Sequence, residues 1–317
     1  MRLNTINSSK TMCTNCGTKV PLDMVARTQD RYRILCKACA QGVECPNCGR
    51  IVHNGFCVCL QETNPSNVLP YNATIPFEKR LLPGEPRDTI CYGWEIESNI
   101  NSRTNLESLL GRIDGYRGLI LSVHDGTIGG MTEFVTQPMT LNFILANKGI
   151  LKGLLDMIQH HNGTADIDGN VGGHIHVSRE AFDSKSIYKI IKLIEDNNDF
   201  FIVVSGFKTI RLLQQARRLN THAIYQLAKN KYDRDHHSWI CLRNADTIEF
   251  RMFAGTLDID KWILNTVLLE ALILWANNTP NNDNTPESFF KYVDKELNRR
   301  PYTILRRIES VYNSLEA

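Results

Sequence analysis

Three segments of this chain set two chemically active side chains one residue apart, and a fourth adds one more. They are Glu95 and Glu97 in Gly93-Trp94-Glu95-Ile96-Glu97, His174 and His176 in Gly173-His174-Ile175-His176-Val177, Glu249 and Arg251 in Ile248-Glu249-Phe250-Arg251-Met252, and Glu133 in Met131-Thr132-Glu133-Phe134-Val135-Thr136. Side chains alternate between the faces of a strand, so each pair shares one face and its apolar neighbours take the other. Two carboxylates at i and i+2 repel unless a cation sits beside them. Carboxylate oxygens with one or two imidazoles suit magnesium or manganese better than zinc. Several carboxylates on one sheet make sense if two or more cations are held there, and such cations are what ATP phosphates need. An arginine beside them would stabilise phosphoryl charge. The plainer alternatives are half-exposed strands with incidental histidines and a surface Glu249–Arg251 ion pair.

The elements that must position these residues can be read from periodicity. Strands are expected at 90–98, 119–123, 131–136 and 172–178, with a turn at His124-Asp125-Gly126-Thr127. Two more strands, His236–Arg243 and Thr247–Phe253, flank Asn244-Ala245-Asp246. Apolar residues at helical spacing predict helices over 104–113, 140–162, 184–204, about 260–278, 285–298 and from Tyr302 onward. A further helix over 206–230 carries Arg211, Arg217, Arg218 and Lys229, a solvated face or one turned to a nucleotide phosphate tail. There is no P-loop and no G-x-G-x-x-G, which excludes those nucleotide folds.

The 317 residues are 42% hydrophobic and 22% charged, as in an ordinary globular protein, and the net charge of +2 predicts no general attraction to nucleic acid or membrane. The longest apolar runs, such as Phe200–Val204, fall far short of a membrane span, and the N-terminus lacks a signal-peptide core. Cytoplasmic residence is the expectation.

Eight of the ten cysteines lie between Cys13 and Cys59. Cys13, Cys16, Cys36 and Cys39 form C-x2-C pairs at a spacing usual for a four-thiolate zinc site. Cys45, Cys48, Cys57 and Cys59 form a second set, in which His53 could replace one cysteine. In a reducing compartment such clusters hold metal; disulfide pairing is the alternative. Over residues 1–60 the charge of the basic residues and two zinc ions only slightly outweighs that of the acidic residues and metal-bound thiolates, so nucleic acid is a poor fit and docking onto a protein partner, or onto the rest of this chain, a better one. Five prolines between Pro65 and Pro86 mark a linker. Three units result: a Cys-rich zinc module over 1–62, a Pro/Asn-rich linker over 63–89, and a catalytic domain with C-terminal helices over 90–317.

In order and spacing, Gly93-Trp94-Glu95-Ile96-Glu97, Asp125-Gly126-Thr127 with Glu133-Phe134-Val135-Thr136, Gly173-His174-Ile175-His176-Val177, and Ile248 through Asp258 resemble the motifs of the amidoligases. These are ATP-dependent carboxylate–amine ligases with the fold of glutamine synthetase and glutamate–cysteine ligase. The resemblance spans about residues 90–280. It implies an α+β fold, a curved antiparallel sheet packed by helices around a metal–ATP funnel, here with a small zinc-ribbon-like module in front. It implies that Glu95, Glu97, Glu133, His174 or His176, and Glu249 ligate magnesium or manganese, and that Arg251, with Glu249 beside it, meets the phosphate being transferred. Arg251, Arg243 and His176 are the candidates for holding the nucleotide. The reaction implied joins a peptide, protein or amino-acid carboxylate to an amine through an acyl phosphate. A zinc-anchored binding protein with an inactive ligase-like domain is the second reading.

The Cys-rich module makes the first prediction. Metal analysis of purified full-length protein should return two zinc ions per chain, whether the two sets pair in sequence or interleave. Fewer than two, with oxidised thiols, would show a disulfide scaffold instead.

Overall fold

The computed structural model describes residues 77–100, 119–124, 131–165, 171–206, 238–242, 244, 246–280 and 283–316, Leu109, and the backbone of six short strands before residue 53. Those six are β1 (Lys10–Met12), β2 (Lys19–Pro21), β3 (Val25–Arg27), β4 (Ile34–Cys36), β5 (Val43–Glu44) and β6 (Ile51–Val52), and they pair antiparallel two by two. The side chains of the eight zinc-ligand candidates, Arg243, and the helices expected at 104–113 and 206–230 lie outside the described residues.

The main sheet comprises β7 (Cys91–Ile100), β8 (Ile120–His124), β9 (Met131–Thr136), β10 (Met139–Thr140), β11 (Gly163–Thr164), β12 (Gly172–Ser178), β13 (Ile240–Cys241) and β14 (Thr247–Ala254). Its order is β13-β14-β12-β7-β9-β8, antiparallel throughout and open, with β10 and β11 pairing with the two ends of β7. Helices α1 (Leu141–Ala146), α2 (Lys148–His160), α3 (Ser184–Asp196), α4 (Asn198–Ser205), α5 (Ile259–Asn278), α6 (Pro286–Glu296) and α7 (Arg306–Glu316) complete the α+β architecture. No helix among the described residues is long and apolar enough to cross a membrane.

One face of the sheet is a core wall. Trp94, Ile96, Phe134, Ile175, Val177, Ile248 and Phe250 are all buried, and so is most of the surface of α5. A helix apolar nearly all round belongs in an interior, and α5 takes that place behind β7. Trp94 stacks on Trp262 with ring centroids 5.2 Å apart, and its indole N–H donates to Thr266 Oγ1 at 3.1 Å. At the other end of β7, Tyr92 and Tyr302 donate to separate oxygens of Glu270 on α5, at 3.1 and 2.7 Å. Lys189 ties α3 to the C-terminal end of α5. Its ammonium donates to Thr279 Oγ1 (2.5 Å) and to the Pro280 carbonyl (2.8 Å), and lies 4.0 Å from the Trp275 ring centroid.

The long helices expected at 140–162 and 184–204 are each broken in two. Thr140 pairs as a strand and caps α1, its hydroxyl accepting from Phe143 N–H at 3.1 Å. Asn147 then ends α1, donating both its backbone N–H (3.0 Å) and its side-chain amide (2.9 Å) to the Phe143 carbonyl. Asn197 repeats the device against the Leu193 carbonyl, at 3.2 and 2.8 Å. Asparagine competes with the helix for backbone partners, and the apolar spacing passes through such a break unchanged. Of the strand expected over His236–Arg243, residues 238–242 are described, and among them strand pairing covers the two residues of β13.

Gly255 joins β14 to α5 where the chain is most crowded. Its N–H donates to the Val171 carbonyl at 2.9 Å, and a Cβ there would fall 2.2 Å from the Ala165 carbonyl oxygen and 2.8 Å from that of Val171. Both obstacles are backbone and cannot swing aside. Gly255→Ala should therefore cost about 1–3 kcal/mol, the range for overpacking a closed site, seen as a lower Tm. An unchanged Tm would show that this junction yields.

Candidate metal centre

The register of the sheet decides which side chains meet. Glu97 stands opposite Glu133, Glu95 opposite His174, and His176 opposite both Gly93 and Glu249. The β12–β14 register shifts between Gly173 and Ile175, so that two residues of β14, Arg251 and Met252, stand against His174 alone. This bulge breaks the alternation expected of β14, and Met252 and Phe253 are both fully buried. Bulges re-aim side chains in this way beside functional sites.

On the face away from α5, Glu95 is the hub. Its Oε1 lies 2.9 Å from His174 Nδ1 and its Oε2 lies 2.9 Å from His176 Nε2. The other nitrogen of His174 is 3.6 Å from Glu97 Oε1, and Nδ1 is also 3.5 Å from Glu249 Oε1. Arg251 Nη1 donates to Glu249 Oε1 at 2.5 Å. Ligand atoms from Glu95, His174 and Glu249 all lie within 4.8 Å of one another, and so do those from Glu95, Glu97 and Glu133. Glu95 thus belongs to two adjacent three-donor groups. Every expected magnesium ligand lies on this face; His176 enters neither group directly and contacts Glu95 instead.

Two holding groups escape the sequence. The Gly172 N–H donates to Glu97 Oε2 at 2.8 Å, and Thr247 Oγ1 lies 3.2 Å from His176 Nδ1. A backbone donor leaves no side-chain signal. Thr247 could have been found two residues before Glu249, on the same face.

The electrostatics are those of a site out of water. Glu97, His174 and Glu249 are at most 6% exposed. Burial opposes the charge on Glu95, yet the imidazoles, His174 foremost, hold its carboxyl well below the usual carboxylate range. Burial likewise opposes protonation of His174 and His176, and the carboxylates, chiefly Glu95, outweigh it and raise both. Two carboxylates about 4 Å apart at an effective dielectric near 20 repel by roughly 4 kcal/mol. Four of them on one partly dry face, with oxygens and a ring nitrogen converging, have the donor chemistry of a hard divalent cation. The buried Arg251 Nε has no hydrogen-bond partner among the described residues.

No protein-family model matches this chain, and no curated protein matches it. Similar solved structures include apo GmaS without ligand, 11% identical over 71% of this chain and 70% of that one, with a TM-score of 0.38. A likeness so distant assigns neither fold nor function.

A pH dependence follows for metal-free protein. The raised histidines contribute stability below their unfolded value of about 6.5, lost as pH rises through their folded values; the depressed Glu95 contributes stability above about 4.3, lost as pH falls through its folded value. In chelator, the Tm difference between wild type and Glu95→Gln should be largest between about pH 4.3 and 6.5 and shrink on both sides. A difference independent of pH would mean that the network does not titrate as a unit.

Proposed function

We propose that the chain is an ATP-dependent carboxylate–amine ligase. The observation that carries this reading is the sharing of Glu95 between two adjacent three-donor groups, beside an arginine with an unpartnered buried N–H. The ordered motifs of the sequence support it. Glu95, Glu97 and Glu133 would hold one divalent cation, and Glu95, His174 and Glu249 the other. Cations bound there would supply positive charge that screens the nucleotide phosphates from an incoming carboxylate. His176, held by Glu95 and Thr247, would steady the nucleotide together with Arg243. Arg251 would donate to the phosphoryl oxygens as charge develops on them, in a setting where preorganised donors act strongly. A substrate carboxylate oxygen attacks the γ-phosphorus and ADP leaves. A deprotonated amine then attacks the acyl carbon of the acyl phosphate, and phosphate leaves as the amide or isopeptide bond forms. The carboxylate would come from a peptide, protein or amino acid, and the Cys-rich module would dock a protein partner.

One observation favours the second reading, an inactive binding protein. Glu249 is already paired with Arg251, and Glu95 with both imidazoles, so the face is partly neutralised without metal.

ADP release in the presence of magnesium, ATP and pools of amino acids, peptides and amines distinguishes the two. In an active protein, Arg251→Ala should lower kcat by about 10²–10³-fold, as loss of one transition-state donor does, with a smaller change in MgATP binding. Arg251→Lys should recover only part, because an ammonium lacks the guanidinium fork. Melts run alongside separate this from unfolding. ATP binding with no ADP formed from any pool would leave the binding protein.

A further inference from the structure

Four glycines in or beside the sheet differ in how closely they are packed. At Gly163 and Gly255 an added Cβ would lie 2.5 and 2.2 Å from a neighbouring atom, so something must shift, and at Gly173 it would press at 3.1 Å on the Ala254 carbonyl and the Trp262 ring. Gly93 is different. It sits inside β7, its φ lies outside the left-handed region, and its Cβ would meet nothing nearer than His176 Cβ and the Thr136 carbonyl oxygen, both at 3.8 Å. That is ordinary contact. A local irregularity does not account for it either. Pairing shifts by one residue between Glu95–Val135 and Tyr92–Met139, and the Trp94 N–H turns to Thr136 Oγ1 at 2.8 Å, but none of this needs a left-handed backbone. Glycine weakens a strand interior and has a use there when something must approach the backbone closely.

The direction of the gap is fixed. Gly93 lies two residues before Glu95 and opposite His176, so its missing side chain would rise on the face that carries the carboxylates and imidazoles. The neighbours across that rung are His176 and Glu249. Gly93 is a bare strip in a row of long side chains. With the carboxylates of Glu95 and Glu249 beside it, an anion can lie there only in company with divalent cations, and a polyphosphate arrives with them.

We infer that Gly93 is the seat of the metal-bound nucleotide: the polyphosphate lies against the β7 backbone at Gly93, flanked by His176, and any side chain there displaces it. This rests on the ligase reading of the same face. Glycine here trades strand stability for access, so stability and binding should move in opposite directions.

The test uses the full chain as wild type, Gly93→Ala and Gly93→Val, with three measurements: Tm, binding of Mn2+ alone, and binding of MgATP by calorimetry. Gly93→Ala should melt at or above wild type and bind Mn2+ within about twofold, while its MgATP Kd rises at least about tenfold. Gly93→Val should bind no MgATP. If both variants bind MgATP like wild type, the seat is elsewhere and the ligase reading stands. A Gly93→Ala protein that melts early and loses Mn2+ would show that glycine is structural, overturning the inference. Wild type that binds Mn2+ but no MgATP overturns the ligase reading and this inference together.

Discussion

Four carboxylates converge on one face of this sheet, and their mutual repulsion is the constraint around which the structure is arranged. Glu95, Glu97, Glu133 and Glu249 approach within a few ångströms because strand register puts them on neighbouring rungs. Their charge is balanced locally by two imidazoles and one guanidinium, each touching a carboxylate. Breaking one partner of such a partly buried network leaves an uncompensated charge, which is why these groups depend on one another. A hard divalent cation would relieve the same repulsion and displace protons from the imidazoles.

What holds the acidic face together is the opposite face. Trp94 and Ile96 alternate with Glu95 and Glu97, so locking the tryptophan on Trp262 and Thr266 fixes the strand that carries both carboxylates. Gly173 is part of the same lock, since a Cβ there would press within 3.1 Å of the Trp262 ring, and the next residue is His174. The site is therefore an extension of the core through the thickness of one strand. Gly255 and the β14 bulge act from the other side, feeding the strand of Glu249 and Arg251 into α5.

The crowded and the bare glycines have opposite meanings in this setting. Gly173 and Gly255 are small because protein fills the space, whereas at Gly93 a Cβ would make only ordinary contact beside His176. All three look alike in a sequence.

The sequence by itself determined the strand faces: period-two alternation around Glu95, His174 and Glu249 dictates which side chains share a side, because the pleat offers only two directions. It also determined the helix at 259–278 and the grouping of cysteines before residue 60. It did not show the breaks at Asn147 and Asn197, since a capping amide interrupts the backbone without disturbing the apolar spacing. Which strands are neighbours, and so that Glu95 meets both imidazoles while Glu97 meets Glu133, was decided only by the tertiary structure. A contact such as that of Glu95 with His176, 81 positions apart, leaves no local trace. The same holds for the Gly172 N–H that holds Glu97, because a backbone donor is common to nearly every residue and only the fold aims it.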